Sequence, residues 1–585
     1  MIKLINNFRK KEYFFLLICF SLVLMQVWLD LKMPDYMSKI TILVQTEGSK
    51  MKDILLNGGY MLLCALGSLV SAIIVGYLVS VLSSTLSMRI RKKIFDKVIN
   101  FSMSEIKEFS TSSLITRTTN DITQVQMFFS MGLQLMIKAP ITAIWAITKI
   151  LNKSYEWSII TAIAVLILLF AIIIAIFIVM PRFKVIQKLT DKLNEITRES
   201  LNGVRVVRAF NAEKYQEEKF DKANTELTNQ HLFTQKAFSI LSPLMYLIMN
   251  CVTLAIYFVG AYLINNAMMI DKLTLFSNMV VFSSYALHVI MSFLMLAVIF
   301  VILPRTQVSV KRINEVLDTN SSIVEGNEEN SREYGTVEFK NVSFKYPNAE
   351  EYLLENISFK AEKGQTIAFV GSTGSGKSTL INLIPRFYDV TDGEILVDGV
   401  NVKNYKFKSL YDKIGYVAQK AVIFSGSVKF NVMYGKDLSK VKNDEIKKAL
   451  DVAQASEFVQ KMDNKYDSIL SQSGTNISGG QKQRLSIARA IAKKPEIYIF
   501  DDSFSALDYK TDSKLRHELK KCMKDSTCLI VAQRIGTIMN ADKIIVLDNG
   551  KCVGIGTHKE LLNNCLIYKE IALSQLSEEE LYNEG

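Results

Sequence analysis

Thr366–Tyr388 reads TIAFVGSTGSGKSTLINLIPRFY, and it decides the fold of the carboxy-terminal half. A short apolar run, TIAFV, enters GSTGSGKST (Gly371–Thr379) directly, and LINLIPRFY then has the look of a helix. The spacing fits G-x-x-x-x-G-K-[ST] in the strand–loop–helix order that gives this motif its meaning. Gly371, Gly374 and Gly376 let the backbone of Ser372, Thr373 and Ser375 curl, so that successive N–H groups face phosphate oxygens. Lys377 would reach the β- and γ-phosphates, Ser378 would ligate Mg²⁺, and Thr379 opens the helix whose positive end adds to the attraction. A merely glycine-rich turn would lack the lysine, the hydroxyl and the flanking elements together.

A second stretch belongs beside this loop. IYIFDDSFSALD (Ile497–Asp508) is an apolar strand ending in two carboxylates. Beside a phosphate loop, the aspartate closing such a strand holds Mg²⁺, which assigns that role to Asp501. Asp502 is then the next group out, facing the γ-phosphate and its attacking water.

The amino-terminal half has a different chemistry. The chain has 585 residues, 49% of them hydrophobic, too long for one core and too apolar for an ordinary soluble protein. YFFLLICFSLVLMQVWL and SIITAIAVLILLFAIIIAIFIVM approach or exceed the ~20 residues needed to cross a bilayer, and nothing after residue 303 does. Apolar runs predict spans at 13–33, 56–84, 130–152, 157–180, 238–264 and 273–303. The first run is too long for a signal h-region and LDLKMPDY offers no small-residue cleavage site, so it is expected to be retained. The net charge of +12 does not imply nucleic acid, because Lys and Arg gather in alternate loops. RIRKKIFDK and the Arg182–Arg208 segment are strongly basic, as is the amino terminus with Lys3, whereas LNKSYEW and INNAMMIDK are short and nearly neutral. This bias places both termini and both long loops in the cytoplasm.

Those long loops keep helical periodicity, so the spans are expected to run on as helices into the cytoplasm. SSLITRTTND and VRVVRAFNAEKYQEEKF are the candidate contact elements at their tips. Lys138 and Pro140 interrupt the third span; an intramembrane lysine is by default a candidate functional site, but a position near the inner interface would let it snorkel, the favoured reading. The seven cysteines show no CxxC pairing and read as small apolar residues.

After Pro304 the periodicity decays into LDTNSSIVEGNEENSREYG, a polar linker, and short strand and helix signals alternate from there. The fold class is therefore an all-α, six-helix transmembrane domain with long cytoplasmic extensions, followed by an α/β phosphate-loop domain. Its divisions are a cytoplasmic amino terminus (1–12), the transmembrane domain (13–306), a linker (307–335), the nucleotide-binding domain (336–575) and a tail (576–585).

One further motif narrows the class. NISGGQKQR (Asn476–Arg484) resembles the signature of ABC transporters, usually L-S-G-G-Q, with Ile477 in its first position. With six preceding spans, the chain resembles an ABC half-transporter of the exporter type over essentially its whole length. The resemblance implies roles for other residues. Tyr346 in FKYP would stack on adenine. Gln419 in YVAQK would touch Mg²⁺ together with Ser378 and Asp501. Ser505, Ala506, Leu507 and Asp508 would link two ATP sites. It also implies a head-to-tail pair of nucleotide domains, each ATP lying between one chain's phosphate loop and the signature Ser478, Gly479, Gly480 and Gln481 of the other.

Two positions depart from the family. Its general base is a glutamate where this chain has Asp502, one methylene and roughly 1.5 Å shorter, a shift that can cost about 10²-fold. Its switch histidine is replaced by Gln533, which hydrogen-bonds but carries no proton or charge. The four histidines of the chain, His231, His288, His517 and His558, all fall elsewhere. Gln472, before the signature, stands where many homodimeric relatives have glutamate. Together these imply the degenerate subunit of a heterodimeric bacterial exporter of drug-like or lipid-like substrates. Such a subunit binds ATP and Mg²⁺ beside a second half-transporter with intact glutamate and histidine, in the plasma membrane. An ATP-binding sensor that does not pump, and a slow homodimer, remain open at this point.

Overall fold

The computed structural model describes residues 8–46, 48–151, 155–347, 349–577 and 581. Lys3, Lys153 and most of the expected tail lie outside the described residues. The chain divides into two units, Met1–Ile99 with Ser112–Thr319, and Asn100–Thr111 with Asn320–Gly585.

Among the described residues six helical stretches have the length and apolarity to cross a membrane: Lys10–Gln45, Met51–Ile99, Thr111–Leu151, Tyr155–Asn202, Pro243–Asn266 and Asp271–Ile299. They coincide with the six apolar runs, and the helices continue far past them. Glu213–Asn266 has 54 residues, roughly 80 Å at 1.5 Å per residue, against a hydrocarbon core of about 30 Å. Apolar faces meet in a core that includes Val23, Val27, Val79, Trp157, Phe282 and Tyr285.

Charges inside this bundle are paired across helices. Lys138 Nζ lies 3.3 Å from Asp30 Oδ2, and Ser68 Oγ donates to Asp30 Oδ1 at 2.5 Å. Lys149 Nζ and the Tyr285 hydroxyl both donate to Asp35, at 2.8 and 2.6 Å. Lys138 therefore makes an interhelical ion pair and does not reach for headgroups as the sequence reading had it. Its partner, 108 positions away, is brought beside it only by packing. Asp30 lies within the apolar Lys10–Gln45 span. Ionised groups inside a membrane span are costly unless paired.

The second unit holds β1 (Val337–Phe344), β2 (Leu354–Ala361), β3 (Thr366–Gly371), β4 (Asp392–Val397), β5 (Val400–Asn401), β6 (Ile414–Val417), β7 (Gly426–Ser427), β8 (Ile469–Leu470), β9 (Ile497–Asp501), β10 (Thr527–Val531), β11 (Lys543–Asp548) and β12 (Lys551–Gly556). One sheet runs β2-β1-β4-β5, antiparallel, a second runs β12-β11-β3-β10-β9-β6, parallel except at β12, and β7 pairs with β8 alone. All five residues of β9 and of β10 are buried, as continuous apolar runs in a sheet covered on both faces should be. β10 separates β3 from β9, so their carboxyl ends, Gly371 and Asp501, emerge about 10 Å apart on one edge. That edge is where open α/β sheets bind ligands.

The first cytoplasmic loop differs from expectation. Its short turn helix is Met103–Phe109, ahead of SSLITRTTND, which starts the returning helix at Thr111–Thr118. The cause is a capping box: Ser102 Oγ accepts from Ser104 N, and Glu105 reaches back to Ser102 N at 2.8 Å. The S-x-x-E spacing of Ser102 and Glu105 is the signal that could have found it. The helix Val204–Ala209 falls within the second candidate element.

Candidate nucleotide site

The phosphate loop needs glycine for two physical reasons. Gly376 sits at φ +93°, and a Cβ there would meet Leu354 Cδ2 at 2.6 Å; at Gly371 it would meet the Leu547 carbonyl oxygen at 2.0 Å. Gly376 caps the helix Lys377–Asn382. Lys377 folds back over the loop, its ammonium donating to the carbonyls of Gly371 (2.9 Å) and Ser372 (2.7 Å) and to Ser375 Oγ (3.2 Å). Burial lowers the Lys377 pKa, with Asp502 and Asp501 opposing the shift.

Asp501, 5% exposed, closes β9 and accepts from Ser378 Oγ at 2.7 Å. Burial raises its pKa and the adjacent Asp502 adds to this, while Ser378 and Lys377 counter it. The Ser378 hydroxyl and the Asp501 carboxylate form a hard-oxygen pair, the donor chemistry that suits Mg²⁺ sharing its shell with phosphates. Gln419 is turned elsewhere: its amide Nε2 donates to Asp502 Oδ2 at 3.3 Å.

Asp502 has a geometry that the sequence did not announce. Its backbone is left-handed, φ +43°, and it is 8% exposed. The same Oδ2 accepts a second amide, Gln533 Nε2 at 3.0 Å, so the two departing positions touch each other. Burial raises the Asp502 pKa, opposed by hydrogen bonds from Gln419 and Ser505 and by the charges of Arg534 and Lys377. Ser505 Oγ donates to the Asp502 carbonyl (2.9 Å), and Arg534 holds the Ser505 carbonyl (3.2 Å). Asp508 caps the following helix through Thr511 N at 2.9 Å.

Tyr346 stands at the helix start, its hydroxyl 3.0 Å from Thr379 Oγ1, with Phe344 and Tyr388 packed near-perpendicular to its ring. The signature residues lie apart from this constellation. Ser478 caps the helix Gly479–Lys493 and Gln481 completes the capping box, Ser478 N donating to Gln481 Oε1 at 2.9 Å. Among the described residues, the signature's hydrogen bonds stay within its own helix start, with Arg484 donating to the Gly480 carbonyl. The exposed Ser478 and Gly479 leave that helix terminus open to solvent. Gln472 begins a short turn ahead of it. Sequence reasoning missed the Asp502–Gln533 bond and the approach of Lys107 to Tyr346, since neither has a local spacing signature.

Comparison with known proteins agrees in both halves. The model of the ABC transporter transmembrane region matches residues 15–293, and that of the ABC transporter domain matches residues 354–505. An uncharacterized ABC transporter ATP-binding protein of Mycobacterium tuberculosis (strain ATCC 25618 / H37Rv) is 38% identical over 523 residues, 88% of this chain and 87% of that protein. The ATP-dependent lipid A-core flippase of Escherichia coli (strain K12) is 32% identical over 525 residues, 89% and 88% of the two chains. The solved structure of a bacterial Atm1-family ABC exporter with ATP bound shares the fold at a TM-score of 0.81 and 22% identity, covering 97% of this chain and 100% of that one. Likeness on this scale runs through both halves: the chain belongs to the ABC transporter family as an exporter half-transporter, a multi-pass plasma-membrane protein with a cytoplasmic ATPase domain.

Proposed function

We propose that this chain is the weakly hydrolysing half of a heterodimeric ATP-driven exporter, retaining ATP at its own phosphate loop and completing the hydrolytic site of its partner. The observation that carries this reading is the pair of amides on one Asp502 oxygen, Gln533 at 3.0 Å and Gln419 at 3.3 Å. The two amides tie up an oxygen that would otherwise face the attacking water, and this carboxylate is also a methylene short of the family's glutamate. The binding machinery is intact by contrast. Tyr346 stacks the base, the loop N–H groups and Lys377 hold the phosphates, and Ser378, Asp501 and the Gln419 carbonyl oxygen would hold Mg²⁺. Mg²⁺, when bound, neutralises charge on the β- and γ-oxygens.

The open terminus of the Gly479–Lys493 helix supports the second role. Its N–H groups suit a γ-phosphate presented by the partner's loop. Closure of the paired nucleotide domains would then turn the membrane halves from inward- to outward-opening. The cargo is an amphipathic small molecule. One relative moves a lipid, and the ionic cluster around Asp30 and Asp35 within apolar spans suits a molecule with both characters. The test is ATP hydrolysis and ATP-dependent transport by the reconstituted chain, alone and with a partner half-transporter carrying glutamate and histidine at the two positions. Activity only in the pair is the expected result. Nucleotide binding without transport by an active pair would favour a sensor, and full hydrolysis by the chain alone would overturn the degenerate site.

A further inference from the structure

The Met103–Phe109 helix belongs to the second unit and is firmly anchored there. Glu105, 6% exposed, accepts from Ser102 N (2.8 Å), Ser102 Oγ (2.5 Å) and Ser322 N (3.1 Å). Phe101 stacks on Phe109 at 5.9 Å with their planes 7° apart. This anchor presents Lys107, whose ammonium lies 4.5 Å from the centroid of the Tyr346 ring and 5.6 Å from that of Tyr388. Lys107 is an exposed residue, and Tyr346 is only partly buried, so its ring stays accessible. Phe344 and Tyr388, both buried, support Tyr346 from the core.

An ammonium over an aromatic face is held by the ring's quadrupole, and a purine stacked on the same face is held by the same π surface. The two occupy one volume. We infer that Lys107 is a specificity-determining residue of the base subsite, competing with the adenine ring for the face of Tyr346, so that nucleotide binding displaces it. The consequence is a link between the base and the loop that begins where the second span's helix ends at Ile99. A ligand that carries phosphates but no base leaves Lys107 in place. This inference rests on the reading of Tyr346 as the base platform.

The experiment is equilibrium titration calorimetry of the full chain in lipid nanodiscs, with MgADP and magnesium pyrophosphate as probes. Lys107→Ala should bind MgADP about two- to five-fold tighter, the factor equivalent to an exposed cation–π contact. Lys107→Met should behave likewise, Lys107→Arg should match the parent, and pyrophosphate affinity should be unchanged in all three. Unchanged or weaker MgADP binding in Lys107→Ala, or an equal change for pyrophosphate, would overturn the competition. Tyr346→Ala separates the two readings: if it leaves MgADP affinity intact, the base platform itself is misassigned. If it weakens MgADP while Lys107→Ala has no effect, only the role of Lys107 fails.

Discussion

Restoring both departing positions at once, Asp502→Glu with Gln533→His, tests whether they are independent losses or one coupled change. The geometry favours coupling, because Gln533 Nε2 is 3.0 Å from Asp502 Oδ2 and Asp502 is 8% exposed. A hydrogen bond to a charged group contributes about 1.5–3 kcal/mol. Extending the carboxylate by about 1.5 Å recovers up to about 10²-fold in rate, but it also takes the oxygen away from the position Gln533 addresses. Asp502→Glu alone should therefore gain less than about ten-fold, and Gln533→His alone less still. The double variant should approach about 10²-fold, a coupling of roughly 1–2 kcal/mol, within the range for contacting residues. The assay is phosphate release at saturating MgATP in reconstituted protein, after equilibrium binding shows that all variants hold nucleotide. A full gain from Asp502→Glu alone would refute the coupling. A double variant that binds MgATP yet hydrolyses no faster than the parent would refute the positional account altogether.

Other outcomes follow from buried charge. Lys413 Nζ reaches Asp398 (2.7 Å, carboxylate side chain fully buried) and Glu496 (3.1 Å), so Lys413→Met should cost about 3–5 kcal/mol, read as a lowered midpoint for loss of MgADP binding on heating. In the spans, Lys138→Met strands Asp30 and should lower the unfolding temperature in detergent, while Asp30→Asn with Lys138→Met recovers most of it; equal losses in single and double variants would contradict the pairing. Burial raises the Glu105 pKa, but hydrogen bonds from Ser102 and Ser322 outweigh it and the net shift is downward. A carboxyl with a lowered folded pKa stabilises fully above its unfolded value, about 4.3, and loses that contribution as pH falls through the folded value. Proteolysis of the 100–111 segment should accordingly rise in acid for the parent, and Glu105→Gln should show raised proteolysis already at pH 7.

Local chemistry made much of this protein legible in its sequence. GSTGSGKST is its own loop, because each glycine and the lysine act on the backbone within a few residues. The six spans declare themselves because a bilayer requires about 20 apolar residues in a row whatever packs beside them. Ser478 and Gln481 form a capping box three residues apart, a contact set within one helical turn. The turn helix Met103–Phe109 has its own local signal in the Ser102–Glu105 spacing, although the next segment has the stronger helical periodicity.

What only the tertiary structure decided are contacts between residues far apart in the chain. Asp502 and Gln533 are 31 positions apart and meet because β9 and β10 are adjacent parallel strands whose ends share one edge. Lys138 finds Asp30 across 108 positions because two spans pack. Lys107 reaches Tyr346 across 239 because a capped seven-residue helix is anchored on Ser322. A sequence states which groups are present and what they do to their own neighbours. Which charge faces which ring is set by the packing of whole elements, where the free energy is spread over many weak contacts and leaves no spacing rule behind.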